Sequence, residues 1–296
     1  MSKVSVLITG CDGFIGKTFL KKIDTTRYDV YALDVRPLGD RGTPKIKGFY
    51  HQDISRKFQL NRAFDFVFHL AAYNVTHVGE RETHRYQRVN VKGTYNLLKS
   101  AEIKNFIFMS SAKVYKNDGE PISEGSPLSP VDAYEKSKLE GEEICHRFFK
   151  GESLTILRSI NIVGPQQEEK AVIPVFFKNA YRNLPLKIVA SRHTYLQLLF
   201  VDDAVHAFEL ILTKGGLNGI YNLSSGEKIR LDELAQKIIR LSHSCSSLKF
   251  LKKKDTVFSE VLSDKIKMAM GWNARTGING ILRAYGEYYR KIHAEK

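Results

Sequence analysis

Short apolar, β-branched runs alternate along the chain with segments whose apolar positions recur at helical spacing. Val4 to Ile8, Asp29 to Leu33, Phe64 to Leu70, Phe106 to Ser110 and Leu154 to Arg158 read as strands. Lys17 to Ile23, about 80–102 and about 133–149 read as helices between them. Strands joined by helical crossovers predict an α/β fold, a Rossmann-type doubly wound parallel sheet with helices on both faces. After Gly164-Pro165 the pattern loosens, with the polar run Gln166 to Lys170 and shorter, mixed segments beyond it. The predicted division is a Rossmann domain over 1–165, with 198–225 returning to it, and a smaller α/β C-terminal lobe over 166–296.

The first strand runs into Gly10, Gly13 and Gly16, and a helical segment follows. Glycines let a backbone turn tightly and approach a pyrophosphate, and the N-terminus of the next helix offers free N–H groups and a positive dipole. Gly10, Gly13, Phe14, Ile15 and Gly16 are therefore candidate cofactor-binding residues. The spacing is G-x-x-G-x-x-G, one residue longer than the commonest dinucleotide fingerprint. Asp34 closes the second strand, 18 residues past Gly16. A carboxylate there accepts hydrogen bonds from both ribose hydroxyls and repels a 2′-phosphate, which points to NAD, while the nearby Arg36 softens that preference.

Composition narrows the picture without changing it. A chain of 296 residues, 43% hydrophobic and 26% charged, suffices for a large core. No apolar run approaches the roughly 18 residues needed to span a bilayer, and Met1-Ser2-Lys3 leads straight into the first strand. A cytoplasmic protein is the expectation. Cys11, Cys145 and Cys245 are scattered without metal-ligand spacing, the nine histidines form no close pair, and no metal is expected. The net charge of +14 suits an anionic partner, but only Lys252 to Lys254 form a run. Charge so spread reads as a solvated surface rather than a nucleic-acid interface.

Tyr134 and Lys138 stand at i and i+4, on one face of a predicted helix. A neighbouring ammonium stabilises a phenolate and pulls its pKa down, so the pair suits general-base work on a hydroxyl. Tyr95 and Lys99 share the spacing but lie mid-helix, before the strand that Ser110-Ser111 closes. Tyr134 follows that strand end by 23 residues, and Ser111 becomes the candidate to hold a reacting oxygen.

With these residues go His69 to Ala72, Asn90 to Leu98, Ser110 to Tyr115, Arg158 to Pro165, Phe200 to Asp203 and Gly271-Trp272. In that order they resemble the extended short-chain dehydrogenases/reductases of the sugar-nucleotide epimerase/dehydratase type. The resemblance implies Ser111, Tyr134 and Lys138 as a catalytic triad, Lys138 also holding the nicotinamide ribose. It implies Asp53 and Ile54 at the adenine, Leu70, Ala71 and Ala72 along the cofactor groove, Asn161 at the substrate, and Asn90 as an ordering residue.

Three departures shape the expected reaction. Ala112 and Lys113 stand where family dehydratases and decarboxylases carry an acid, and Lys116 replaces the usual glycine after Val114-Tyr115. Leu196 replaces an arginine that grips the substrate pyrophosphate, with Gln197 where an aspartate is common. Arg192, His193 or Lys252 to Lys254 are the candidates to substitute for that arginine. The expected activity is NAD-dependent sugar-nucleotide epimerisation, at carbon 4, through a 4-keto intermediate. The alternatives are a reductase or dehydrogenase with the same triad, or a non-catalytic NAD-sensing or RNA-binding protein. The resemblance also implies a homodimer paired through the helices near 83–102 and 133–149.

Overall fold

In the computed structural model, described over residues 3–38, 45–75, 82–151, 153–189, 194–251 and 257–294, the apolar runs form a seven-stranded sheet. Its strands are β1 (Val4–Thr9), β2 (Tyr28–Asp34), β3 (Gly48–His51), β4 (Ala63–His69), β5 (Glu102–Ser111), β6 (Leu154–Ser159) and, much later, β10 (Gly219–Leu223). The spatial order is β3-β2-β1-β4-β5-β6-β10, and every pairing is parallel. The order reverses between β1 and β4, and open α/β sheets bind ligands at the crevice such a reversal creates.

Both faces of the sheet are buried, which is why its strands read as nearly unbroken apolar runs. Val6, Ile8, Phe66, Phe68, Ile107 and Met109 face one core, where α1 (Phe14–Lys22) brings Phe19 and Leu20. Leu7, Val67, Phe106 and Phe108 face the other, together with Leu97 and Cys145. Those two come from α3 (Lys92–Ser100) and α4 (Ala133–Phe148). Ahead of α3 lie one turn, α2 (His84–Tyr86), and a π-helical turn, Gln87–Val91. The helix expected to continue to residue 102 ends at Ser100, because Ala101 is extended and Glu102 already starts β5.

The remaining elements build a second core. Strands β7 (Asn161–Val163), β9 (Tyr195–Phe200) and β11 (Lys228–Arg230) form a three-stranded sheet in the order β11-β9-β7. Strands β8 (Leu186–Ile188) and β12 (Leu248–Phe250) pair in parallel. Helices α5 (Val172–Tyr181), α7 (Leu231–Leu241) and α9 (Ile278–Ala294) close over them, with Phe177 stacked on Tyr285 and Tyr289. Two helices return to the large sheet. α6 (Val201–Thr213) sets Phe208 against Phe19 and Phe68, and α8 (Asp264–Met270) adds Ile266 and Met270 to the same core. Beside them Trp272 is wholly buried and donates its indole N–H to the Asp203 carbonyl at 3.0 Å.

Candidate functional site

The glycine loop is shaped by contacts no side chain would allow. Gly10 has φ +68° and packs on the backbone of Ala71, 2.7 Å from where a Cβ would stand. A Cβ on Gly16 would lie 2.1 Å from the Gly10 carbonyl oxygen. The loop thus presses onto the end of β4, while Gly13 N donates to Gly10 O at 3.0 Å. The bond from Lys17 N to Gly13 O, at 2.8 Å, starts α1. Phe14, Ile15 and Gly16 therefore have N–H groups without an intrahelical acceptor, and no side chain caps this end. A helix start left open in this way suits an anion.

Asp34, buried at the end of β2, accepts the backbone N–H of Asp12 on Oδ2 at 2.9 Å and that of Arg36 on Oδ1 at 3.0 Å. Its carboxylate is thereby fixed in place, with lone pairs to spare for a diol. A cleft of about 470 Å³ runs past Gly10, Gly13, Asp34, Asp53, Ile54 and the Leu70–Ala72 segment. Asp53 turns its own Oδ1 onto Ser55 N at 2.9 Å, and Asn96 Nδ2 holds the Ile54 carbonyl at 2.8 Å. Gly10, Gly13, Asp34, Asp53, Ile54, Leu70, Ala71 and Ala72 thus line one cleft, while Phe14, Ile15, Gly16, Tyr134 and Lys138 are not on its wall. The backbone cradle, the open helix N-terminus and the strand-end carboxylate fit a dinucleotide.

A buried relay that sequence reasoning missed stands behind this wall. Thr94 Oγ1 donates to Asn90 O at 2.6 Å, so His69 Nε2 must donate to Thr94, at 3.0 Å. His69 Nδ1 then accepts from Thr9 Oγ1 at 2.8 Å, and Thr9 in turn accepts Ala71 N–H at 3.2 Å. Burial, helped by the Lys138 charge, pushes the imidazole down to about 3 and keeps it neutral. Asn90 bonds Tyr73 N and O at 2.7 and 3.1 Å and Ser137 Oγ at 2.9 Å, tying the groove segment to α4. His69 had been visible only as part of a family motif. Its partners come from β1 and α3, which local spacing does not connect.

Elsewhere along the sheet edge, β5 ends at Ser111 and α4 carries Tyr134 and Lys138. The phase of α4 is set by a capping box. Asp132 Oδ1 accepts Glu135 N at 2.8 Å, and Glu135 Oε2 accepts Asp132 N at 3.3 Å. Such a cap contributes about 1 kcal/mol and starts the helix just before the tyrosine. Ser111 stands close enough to the Tyr134 side chain to favour its ionised form, and the Tyr86 ring stands edge-on to that of Tyr134 at 6.0 Å. Lys138 is buried, donates to Met109 O at 2.8 Å and lies 5.9 Å from the Tyr134 ring centre.

Burial works against the acidity expected of this pair. Desolvation pushes the Tyr134 phenol up to about 12, although the nearby Ser111 hydroxyl opposes the rise. Desolvation also brings the Lys138 ammonium down to about 8. Burial thus opposes the acidity that the i, i+4 spacing predicts.

Beneath Lys138 lies an ion pair in full burial. Arg158 Nη2 meets Glu142 Oε2 at 2.6 Å and Nε meets Oε1 at 3.0 Å, while Ser110 Oγ also donates to Glu142. The Arg158 guanidinium stacks 4.7 Å from the Tyr115 ring, whose hydroxyl donates to Asn222 Oδ1 at 2.8 Å. The base of α4 is thus fixed to β6 and, through Tyr115, to β10.

The substrate candidates are more scattered. Asn161 is exposed at the start of β7, paired in register with Leu198. Leu196 is half-buried against the second core, opposite Ile229. Gln197 is buried and accepts Val261 N at 2.8 Å, pinning that segment to β9. Lys113 is exposed, with its backbone N–H on Ser111 Oγ at 3.3 Å. Arg192 and His193, like Lys252 to Lys254, lie outside the described residues. Among the described residues no cluster of His, Cys, Asp or Glu suits a metal ion, and no helix is long and apolar enough to cross a membrane.

Comparison with known proteins adds to this geometry. The profile of the NAD dependent epimerase/dehydratase family matches residues 6–224. The dTDP-D-glucose 4,6-dehydratase of Dictyostelium discoideum is 30% identical over 270 residues, covering 80% of this chain and 62% of that enzyme. A trifunctional UDP-glucose 4,6-dehydratase/UDP-4-keto-6-deoxy-D-glucose 3,5-epimerase/UDP-4-keto-L-rhamnose-reductase of Arabidopsis thaliana is 26% identical, covering 96% of this chain and 47% of that protein. The chain thus spans less than two thirds of the length of these relatives. The solved UDP-glucose 4-epimerase of Thermotoga maritima, with UDP-glucose, superposes with a TM-score of 0.85 at 25% identity, covering 98% of this chain and 100% of that one.

Proposed function

Because the chain belongs to the NAD dependent epimerase/dehydratase family, we propose that it epimerises a nucleotide sugar at carbon 4, through a transient 4-keto sugar. The observation that carries this reading is that Ser111, at the end of β5, stands near the Tyr134 side chain, whose ring centre lies 5.9 Å from the buried Lys138 Nζ. Two groups able to hold one hydroxyl oxygen, one of them also able to take its proton, are what oxidation of that carbon requires.

NAD, the family's cofactor, supplies the hydride exchange at the sugar carbon. In this chain the N–H groups of Phe14, Ile15 and Gly16 would hold its phosphates, Asp34 its adenosine ribose, and Lys138 its second ribose. Tyr134 Oη takes the proton of the 4-hydroxyl and later returns it, while Ser111 holds the oxygen throughout. Between those events the keto sugar presents its other face. Both the hydride taken from carbon 4 and the proton taken from its hydroxyl are given back to the sugar, so the reaction would run without net consumption of cofactor.

Elimination is the reading favoured by the names of the two relatives, and Ala112 and Lys113 argue against it. Neither side chain offers a carboxyl group beside Ser111 to protonate a leaving hydroxyl. The deciding experiment incubates the protein and NAD with UDP- and dTDP-hexoses and follows products by NMR. An equilibrating pair of 4-epimers without NADH accumulation is expected. Stoichiometric NADH would favour a dehydrogenase, and accumulation of a 4-keto-6-deoxy sugar a dehydratase. Salt-sensitive RNA binding with no turnover would favour a non-catalytic role.

A homodimer paired through α3 and α4 goes with this proposal. Tyr95 and Phe148 are exposed on that face and meet edge to face at 5.7 Å. A monomer by light scattering at micromolar concentration would overturn it.

A further inference from the structure

Asp12 stands between two of the loop glycines, and each of its carboxylate oxygens carries a cation. Lys17 Nζ lies 2.8 Å from Oδ1, and Arg36 Nε lies 3.0 Å from Oδ2. Arg36 Nη2 also donates to the Asp12 carbonyl at 2.9 Å, so the arginine doubles back over the loop. Its distance to the Asp34 carboxylate is 3.7 Å. Two carboxylates and two cations therefore balance one another on the wall of the cofactor cleft, which both Asp34 and Arg36 line.

An arginine two residues past a strand-end carboxylate is placed to grip a phosphate on the neighbouring ribose. It would do so through paired, charge-assisted N–H bonds. Here two of its nitrogens are already engaged and its charge is met. A 2′-phosphate would have to draw Arg36 off Asp12 and then lie against two carboxylates instead of one. We propose that Asp12 is a cofactor-selectivity residue, which disarms Arg36 and thereby holds the cleft to NAD rather than NADP. The inference rests on the cofactor lying in this cleft. Arg36 is 60% exposed, so the clamp is an interaction that salt screens.

The test is direct binding of NADH and NADPH, followed by fluorescence at low ionic strength. Asp12→Asn should tighten NADPH about tenfold, less at high salt, and move NADH by under about threefold. Adding Arg36→Ala to that variant should cancel the gain. Arg36→Ala alone leaves the loop intact and should change NADPH binding by under about twofold, since a clamped arginine contributes little. A large loss of NADPH binding in that single variant would show Arg36 to be free already and overturn the inference. So would an NADPH-to-NADH ratio unmoved by Asp12→Asn. NADH affinity unmoved by Asp34→Ala would overturn the placement of the cofactor itself, a separate failure.

Discussion

The carbonyl oxygen of Gly10 lies 2.1 Å from the point where a Cβ on Gly16 would stand. No rotamer relieves such a contact, because the oxygen belongs to the backbone and a Cβ is held in place by it. Gly16→Ala should therefore move the loop, with a stability cost of about 1–3 kcal/mol and a marked loss of NADH binding. Thermal melts and NADH titration check this. An alanine variant that binds NADH like the native chain would mean the loop is free to shift.

The carboxylate at the end of β2 gives a second expectation. Asp34→Ala should weaken NAD binding and narrow the gap to NADP, because it removes both the diol acceptor and a charge that repels a 2′-phosphate. Titration with both cofactors reads it. A native chain that already preferred NADP would contradict the role given to this carboxylate.

Tyr134→Phe should cost about 10²–10⁴-fold in turnover, the usual contribution of a general acid–base group. Fold and NADH binding should survive, as circular dichroism and titration would report. Tyr95→Phe, one of the two matching Tyr-Lys spacings, should cost far less. A Tyr134→Phe variant within about tenfold of native activity would remove this tyrosine from the chemistry.

The buried His69 and Lys138 both bind fewer protons in the folded chain than in the unfolded one. For His69, with a folded pKa of about 3 against 6.5, stability is lost as pH falls below 6.5. For Lys138, about 8 against 10.5, stability rises with pH between those values. The rise amounts to up to about 3 kcal/mol. Urea midpoints measured against pH should show both slopes, and Lys138→Met should flatten the alkaline one and lessen the acid one, since the Lys138 charge helps lower the His69 pKa.

Leu196 supplies no donor where a phosphate-gripping arginine is the family's habit, so the native chain should bind plain UDP weakly. Because its side chain packs against the second core, Leu196→Arg should lower the melting temperature, and calorimetry should show UDP binding no tighter than native. Submicromolar UDP binding by the native chain, unaffected by removing Arg192 or Lys252 to Lys254, would contradict this.

What the sequence displays is what lies within one or two elements. The glycine turn, the carboxylate closing β2 and the i, i+4 pair on α4 are each local, and periodicity was enough to see them. The His69 relay joins β1, β4 and α3, and the clamp on Asp12 joins the loop to the end of β2. Their partners meet only once the parallel register is fixed, with Thr9 beside His69 and beside Leu33. Burial was equally hidden. The i, i+4 spacing suggests an acidic tyrosine, and only the packing reveals the desolvation that raises its phenol. Likewise, strand parity seats Leu196 against the second core, which its place in a motif does not disclose.

The seventh strand of the large sheet has a consequence for how the chain is made. β6 ends at Ser159, yet its neighbour β10 begins only at Gly219, with much of the second core encoded between them. During synthesis the first six strands emerge well before the seventh. The outer edge of β6, apolar and unpaired, must wait while residues 160–218 leave the ribosome. A nascent chain stalled in that interval displays an open strand edge ready to pair with another copy. Chaperone capture should therefore peak for chains cut just short of Gly219.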